Sequence, residues 1–179
     1  TQGDEVIAEI APSFEGQFGQ DISPAQIKAA LKEVGFSEVY EVALGADIGA
    51  VAEAHHYVNE VVNGDLPFLL TSCCPAFVNM VRLHYPQLAD CVSTTVSPMC
   101  AVSRLIKARY PEAITVFIGP CLAKKSEVVY QKIEGNADYV LTYSEIRAIM
   151  KAKDVTLKPA ANENQIGSTF GKRFANSGG

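Results

Sequence analysis

Short apolar runs alternate with amphipathic segments along most of this chain, and this alternation is the strongest constraint on its fold. The sequence predicts strands at residues 5–10, 37–42, 67–71, 113–118 and 138–141. The segments between them place apolar residues at helical spacing. Strands that are separated by helices pair in parallel and carry the helices on the faces of the sheet. The chain is therefore expected to adopt an α/β fold with parallel strands.

Two of the predicted helices have clear start signals. Ser23-Pro24-Ala25-Gln26 is a capping box with proline at the first helical position, and Thr142-Tyr143-Ser144-Glu145 is a second capping box. Further helices are expected at residues 47–63 and 75–85 and from Ser97-Pro98 onward. These signals place helices between the first four predicted strands and after the last one.

Two of the predicted strands run directly into cysteines. Residues 67–71 lead into Ser72-Cys73-Cys74-Pro75, and residues 113–118 lead into Gly119-Pro120-Cys121. In α/β proteins the carboxyl ends of the strands are where binding sites are built. The two cysteine segments are therefore the predicted site.

Composition narrows the class of protein. The chain has 179 residues, enough for the single domain that we expect over residues 1–179. Its net charge is −5 and basic residues never form long runs, which argues against nucleic acid as a partner. No apolar stretch has the length of a membrane span, and no signal peptide is recognisable. Five cysteines, an odd number, argue against a disulfide framework.

The chemistry of the cysteine segments is open at this level. Neighbouring cysteines do not readily bond to each other, and a strand-to-helix turn stabilises negative charge, which favours a thiolate at Cys73 or Cys74. Such a thiolate can be a nucleophile, a redox thiol or a metal ligand. The spacing to Cys121 does not suit a closed zinc site. Cys91 and Cys100 are expected to be buried as small hydrophobic residues.

The two segments resemble the first two signature motifs of FeFe-hydrogenases. Thr71-Ser72-Cys73-Cys74-Pro75 is similar to the first motif, and Pro120-Cys121-Leu122-Ala123-Lys124-Lys125-Ser126-Glu127 is similar to the second, in the same order. The likeness extends over essentially the whole chain. Further landmarks of the family are Ala11-Pro12-Ser13, Gly45-Ala46-Asp47, Ser97-Pro98 and Asp138-Tyr139-Val140-Leu141-Thr142.

This resemblance implies a fold, a cofactor and a ligand set. Two lobes of parallel sheet flanked by helices are expected, with the active site between the lobes. The family's H-cluster joins a 4Fe-4S cluster, held by four cysteines, to a two-iron subcluster with CO and CN⁻. Cys74 and Cys121 resemble two of the cluster ligands, and Lys124 resembles the lysine that pairs with a cyanide. The remaining residues expected to line the cofactor site are Pro12, Ser13, Ser97, Pro98, Met99 and, more weakly, Glu127.

The family's proton relay can also be placed on this sequence. Cys73 resembles the cysteine that passes protons to the two-iron unit, and Glu53 and Ser93 align with the next two members. His56 falls where an outer glutamate is expected, and histidine can also carry protons near neutral pH. Gly119, Met99 and Phe77 stand where methionine, glutamine and tryptophan are usual. Together they indicate a divergent branch, and the Gly119-Pro120-Cys121 motif resembles that of sensory hydrogenases, which turn over slowly and report H₂.

The resemblance further implies reversible oxidation of H₂ to protons and electrons in the cytoplasm of an anaerobe. An electron carrier of the ferredoxin type, fused Fe–S domains or a signalling domain would be the partners. A third motif should supply the other two cysteines after residues 174–179, so the H-cluster is expected to be absent or incomplete in this form. The main alternative is a hydrogenase-like Fe–S scaffold protein without hydrogenase activity. A zinc- or thiol-dependent enzyme is a weaker alternative.

Overall fold

A four-stranded parallel sheet forms the centre of the protein. The computed structural model describes residues 5–14, 16–19, 22–130, 133–158 and 168–175. The strands, in the spatial order β2-β1-β3-β4, are β1 (Val6–Ile10), β2 (Glu38–Glu41), β3 (Ile114–Gly119) and β4 (Tyr139–Thr142). All three neighbouring pairs are parallel. The prediction of an α/β fold with a parallel sheet flanked by helices is confirmed.

Seven α-helices are found in the described part of the chain. They are α1 (Pro24–Val34), α2 (Ala43–Tyr57), α3 (Pro75–His84), α4 (Pro98–Arg109), α5 (Ala123–Tyr130), α6 (Tyr143–Ala152) and α7 (Thr169–Lys172). Both predicted capping boxes are present, at Ser23 with Gln26 and at Thr142 with Glu145. Shorter turns cover Pro12–Phe14, Val58–Val62, Pro86–Cys91 and Arg173–Ala175, the second of these π-helical. None of the described helices has both the length and the apolar character needed to cross a membrane.

The side chains of β1 alternate between the two faces of the sheet, as strand geometry requires. Ala8 and Ile10 pack in one core with residues of α1 and α6. Ile7 packs in a second core with Val102 and Ile106 of α4. Helices therefore cover both faces, and β1, which is paired on both sides, is buried along most of its length.

The predicted strand at residues 67–71 is wrong. In its place the structure has a single parallel bridge between Leu70 and Val92. Leu70 donates to the Cys91 carbonyl and accepts from the Ser93 N–H, both at 2.7 Å. Pro67 has no N–H to extend the ladder, and the segment is partly exposed, so the pairing stops after one bridge. The described residues contain one parallel sheet, and the segment at residues 67–71 contributes only this bridge.

Helix α2 begins earlier than the predicted boundary at residue 47. Gly45 lies inside its first turn, and a Cβ at that position would be 2.1 Å from the Pro98 carbonyl oxygen. The glycine therefore serves close packing of α2 against the start of α4. The residues that follow Ala175, where the boundary before a third motif was predicted, lie outside the described residues.

Glu9 is the most unusual residue of the core. Its side chain is fully buried on β1, where Oε1 accepts a hydrogen bond of 2.7 Å from Ser103 Oγ. Its Oε2 has no hydrogen-bond partner in the described part of the chain. Burial raises the pKa of Glu9 from 4.5 to about 8. The hydrogen bond from Ser103 and the charge of Lys107 lower this pKa, but by less than burial raises it. Glu9 is therefore a neutral acid at pH 7.

Glu9→Gln should change how stability depends on pH. The unfolded chain ionises Glu9 near pH 4.5 and the folded protein only near pH 8, so the folded state loses stability as pH rises between these values. The loss is at most about 1.4 kcal/mol per pH unit. Urea unfolding from about pH 5 to pH 8 should show that the free energy of unfolding of the variant rises relative to that of the wild type. Glu5→Gln, at an exposed carboxyl, is the control. Parallel curves for the wild type and Glu9→Gln would contradict a buried neutral acid.

Candidate functional site

A cavity of about 200 Å³ lies at the carboxyl ends of β1 and β3, where they face the Cys73 segment. Most of its lining is apolar, and its polar groups are two thiols, one hydroxyl and one ammonium. The lining residues are Ala11, Pro12, Ser13, Val42, Ala46, Cys73, Pro98, Met99, Phe117, Pro120, Cys121 and Lys124. Seven of the thirteen site residues predicted from the sequence are in this set. The other six, Glu53, His56, Cys74, Ser93, Ser97 and Glu127, lie outside the lining.

A buried ion pair places a cation at the wall of this cavity. Lys124 Nζ lies 2.6 Å from Glu127 Oε2, one turn further along α5, and both side chains are buried. Lys124 Nζ also donates to the Cys73 carbonyl at 3.3 Å. Ser97 Oγ donates to the other oxygen of Glu127 at 2.6 Å. Glu127 and Ser97 therefore fix the position of Lys124 although neither lines the cavity.

The three candidate thiols are all partly exposed and form no disulfide. Cys121 follows β3 and lines the cavity, whereas Cys74 is the N-cap residue of α3. The Cys74 side chain makes no capping hydrogen bond, so its thiol is not engaged in the start of the helix. Cys91 and Cys100 are buried, as expected for cysteines that pack as small hydrophobic residues.

The residues of the predicted relay form two separate hydrogen-bonded groups. Glu53 Oε1 accepts from Thr71 Oγ1 at 3.0 Å and from the Ser72 N–H at 3.3 Å, which holds it against the cysteine segment. His56 Nδ1 lies 3.1 Å from Ser93 Oγ. Helix α2 carries both Glu53 and His56, which reach the cysteine segment and Ser93 respectively.

Tyr143 is a structural residue of the site that the sequence reasoning missed. Its hydroxyl donates to the Ala11 carbonyl at 3.1 Å and lies 2.9 Å from Ser13 Oγ. Burial raises the pKa of Tyr143 to about 12, so it remains a neutral donor. It holds the Pro12–Phe14 turn against the cavity. Its place at the start of a predicted helix carries no signal of this contact, which spans more than a hundred residues of sequence.

A parallel α/β fold with thiols and a buried ammonium around a cavity at the carboxyl ends of its strands defines the class: an α/β domain with a candidate binding site at that edge of its sheet. Comparison with known families identifies the particular family. Residues 4–179 match the family model described as iron only hydrogenase large subunit, C-terminal domain. The chain belongs to this family, as its motifs indicated.

The relatives include hydrogenases and proteins of another kind. The chain is 30% identical to iron hydrogenase 1 of Clostridium pasteurianum, over 93% of this chain and 32% of the relative. It is 26% identical to the cytosolic Fe-S cluster assembly factor NAR1 of Kluyveromyces lactis, over 82% of this chain and 26% of the relative. The chain thus spans about a third or less of the length of these relatives.

Solved structures support the fold. An apo form of the FeFe-hydrogenase HydA1 from Chlamydomonas reinhardtii superposes with a TM-score of 0.73 at 26% identity. The superposition covers 92% of this chain and 48% of that one. The fold of this chain is therefore that of roughly half of a hydrogenase chain.

Gly119, which ends β3, shapes one wall of the cavity. A Cβ at this position would lie 2.6 Å from Phe117 Cε1 and 3.1 Å from Ala11 Cβ. The ring of Phe117, two residues earlier on the same strand face, thus fills the space that a side chain at position 119 would need. Any larger residue there requires the Phe117 ring to move.

Gly119→Ala should lower the free energy of unfolding by about 1–3 kcal/mol, because the added methyl overpacks the contact with Phe117. Chemical denaturation measures this. Gly49→Ala is the matched control, since nothing lies within 4 Å of the added carbon on α2. It should be neutral or stabilise by up to about 1 kcal/mol. Combining Gly119→Ala with Phe117→Leu should recover part of the loss, and equal stability of the two alanine variants would contradict the close contact.

Proposed function

We propose that this domain belongs to an iron-only hydrogenase that interconverts H₂ with protons and electrons, in a slow H₂-sensing role. The observation that carries the proposal is the meeting of Cys73, Cys121 and the buried Lys124 around one small apolar cavity. A scaffold that only held a cluster would need thiols. It would have no evident use for a buried ammonium and an additional thiol facing an apolar space.

Lys124 is suited to bind an anionic ligand in the cavity. An ammonium has three N–H donors. Two of them have partners in the described part of the chain, Glu127 Oε2 and the Cys73 carbonyl. The third is available toward the cavity, where low polarity strengthens a charge-assisted hydrogen bond. This supports the role that the resemblance assigns to Lys124.

The donor set fits part of an iron–sulfur centre. Cys74 and Cys121 would supply two of the four thiolates of a 4Fe-4S cluster, and the remaining two must come from elsewhere in the protein. No group of three or more His, Cys, Asp or Glu in the described ranges could hold a metal ion. The H-cluster would supply the redox chemistry of H₂. Pro12, Ser13, Pro98 and Met99 would line the space around it, and Ser97 and Glu127 would position the lysine.

Proton transfer would use the residues around the Cys73 segment. Cys73 faces the cavity, and Glu53 lies beside the same segment. Ser93 and His56 form the next hydrogen-bonded pair, and histidine is the side chain that most often transfers protons in enzymes. The assignment of these four residues as the relay is part of the proposal.

Residues 1–179 would be one part of the hydrogenase domain of a longer protein. The partners would be H₂, protons, a ferredoxin-type carrier or fused Fe–S domains, and a signalling domain. A cytoplasmic location in an anaerobe suits thiols that must stay reduced.

A second candidate is an Fe–S scaffold without hydrogenase activity. The similarity to the cytosolic Fe-S cluster assembly factor NAR1 favours it, at an identity close to that for the hydrogenases. Both candidates require Cys74 and Cys121 as ligands. They differ in whether Cys73 has a chemical role.

The cluster ligands can be tested by iron loading of the full-length protein under anaerobic conditions. Cys74→Ala and Cys121→Ala should each lose most of the roughly four irons of the 4Fe-4S cluster, because a ligand is lost. The charge-transfer absorbance of the cluster should fall with the iron content. Cys91→Ala, at a buried cysteine outside the cavity, should load normally. Unchanged loading in both ligand variants would contradict the assignment.

The two candidate functions separate in an isotope-exchange assay. Full-length protein loaded with a synthetic two-iron unit should exchange D₂ with water protons, and Cys73→Ala should reduce the rate by about 100-fold or more if its thiol carries the proton. Iron content and the infrared bands of bound CO serve as loading controls. Normal Fe–S loading without any exchange in the wild type would favour the scaffold.

A further inference from the structure

The hydroxyl of Thr71 lies between the thiol of Cys73 and the carboxylate of Glu53. Thr71 Oγ1 is 3.4 Å from Cys73 Sγ and 3.0 Å from Glu53 Oε1. Both separations are within hydrogen-bond range, with the longer one appropriate to sulfur. Among the described residues, no other side chain is hydrogen-bonded to both the Cys73 thiol and another residue of the predicted relay.

The direction of the two hydrogen bonds is constrained by the number of protons. A hydroxyl has one proton to donate and two lone pairs to accept. Glu53 as a carboxylate can only accept, so Thr71 donates to Glu53 Oε1. When Cys73 is a thiol, its S–H can then donate to Thr71 Oγ1. The result is a continuous donor chain from sulfur through oxygen to carboxylate.

The surrounding backbone holds Thr71 in this place. Both the N–H and the carbonyl of Leu70, just before it, are hydrogen-bonded in the parallel bridge with Val92. Ser72, just after it, donates its N–H at 3.3 Å to the same Glu53 oxygen that accepts from Thr71. Threonine is branched at Cβ, which limits its χ1 freedom. The hydroxyl is therefore positioned although the residue is exposed.

We propose that Thr71 carries the proton between Cys73 and Glu53. In one direction the Cys73 S–H bond breaks as an O–H bond forms on Thr71. The original Thr71 O–H bond breaks at the same time as an O–H bond forms on Glu53 Oε1. Cys73 becomes a thiolate, Glu53 becomes a neutral acid, and Thr71 is unchanged. Proton delivery to the cavity is the reverse, and no electrons move. This role rests on the proposed H₂ chemistry.

Three substitutions of Thr71 in the loaded full-length enzyme test the role. Thr71→Val replaces the hydroxyl by a methyl of similar size and should slow D₂ exchange at least about tenfold, since a positioned proton carrier is lost. Thr71→Ser keeps a hydroxyl and should keep most of the rate. Thr71→Ala leaves space for a water molecule and should fall between them. Thr94→Val, at a nearby exposed threonine outside this contact, should have the wild-type rate.

Epistasis with Glu53 separates proton transfer from a packing role. Glu53→Gln alone should slow exchange, and adding Thr71→Val should slow it no further, because both changes interrupt the same path. A purely structural role of Thr71 would instead make the two losses multiply. Iron content and the thermal unfolding midpoint of each variant show that folding and loading are unchanged.

A second readout does not depend on activity. In the cluster-free full-length protein, the infrared S–H stretching band of Cys73 is isolated by subtracting the spectrum of Cys73→Ala. Thr71→Val should shift this band to higher frequency, as expected for loss of a hydrogen-bond acceptor, whereas Thr71→Ser should leave it in place.

The outcomes are distinct. A slow valine variant, an active serine variant and a shifted S–H band together support the proposal. An active wild type with an equally active valine variant overturns it, and so does an S–H band that valine leaves unmoved. A wild type that loads normally but shows no exchange overturns the proposed function, and the role of Thr71 falls with it even where the band shifts.

Discussion

The buried ion pair between Lys124 and Glu127 is the contact on which the site depends. It joins three segments, because Glu127 also accepts from Ser97 at the start of α4 and Lys124 also donates to the Cys73 carbonyl. Breaking a buried pair by removing one partner typically costs about 3–5 kcal/mol, so each member keeps the other in place. The pair thereby fixes the distance between the end of the sheet and the cysteine segment. The Lys124 ammonium is thereby held at the wall of the cavity, with Glu127 outside the lining.

The narrowness of the cavity has a separate cause, which is close packing at two glycines. Gly45 lets the start of α2 approach the start of α4, and Gly119 lets the Phe117 ring lie against the end of β3. Both contacts bring apolar walls near Cys121 and Lys124. Electrostatic interactions are stronger in such surroundings. The same frame therefore suits a bound anionic group better than a polar lining would.

Kinship with both hydrogenases and an Fe–S assembly factor shows that this frame is not specific to one function. The difference lies in which side chains face the cavity. The thiol of Cys73, which is not one of the two proposed ligands, is connected through Thr71 to the Glu53 carboxylate, and this contact is the proposed path for protons. Cluster binding alone has no need of that path, so the polar contacts behind the cavity distinguish the two functions better than the fold does.

The sequence by itself determined the α/β class, the four strands of the sheet and the two capping boxes, because these follow from local periodicity and from motifs of neighbouring residues. It also predicted one site at the two cysteine segments, and Cys73 and Cys121 line the same cavity. It did not determine that residues 67–71 form only one bridge, since strand formation depends on a partner. Only the tertiary structure decided that Tyr143 holds the turn at Ser13 and that Thr71 meets Glu53. These contacts join residues far apart in the chain, and no spacing along the sequence encodes which polar groups will meet when the helices pack onto the sheet.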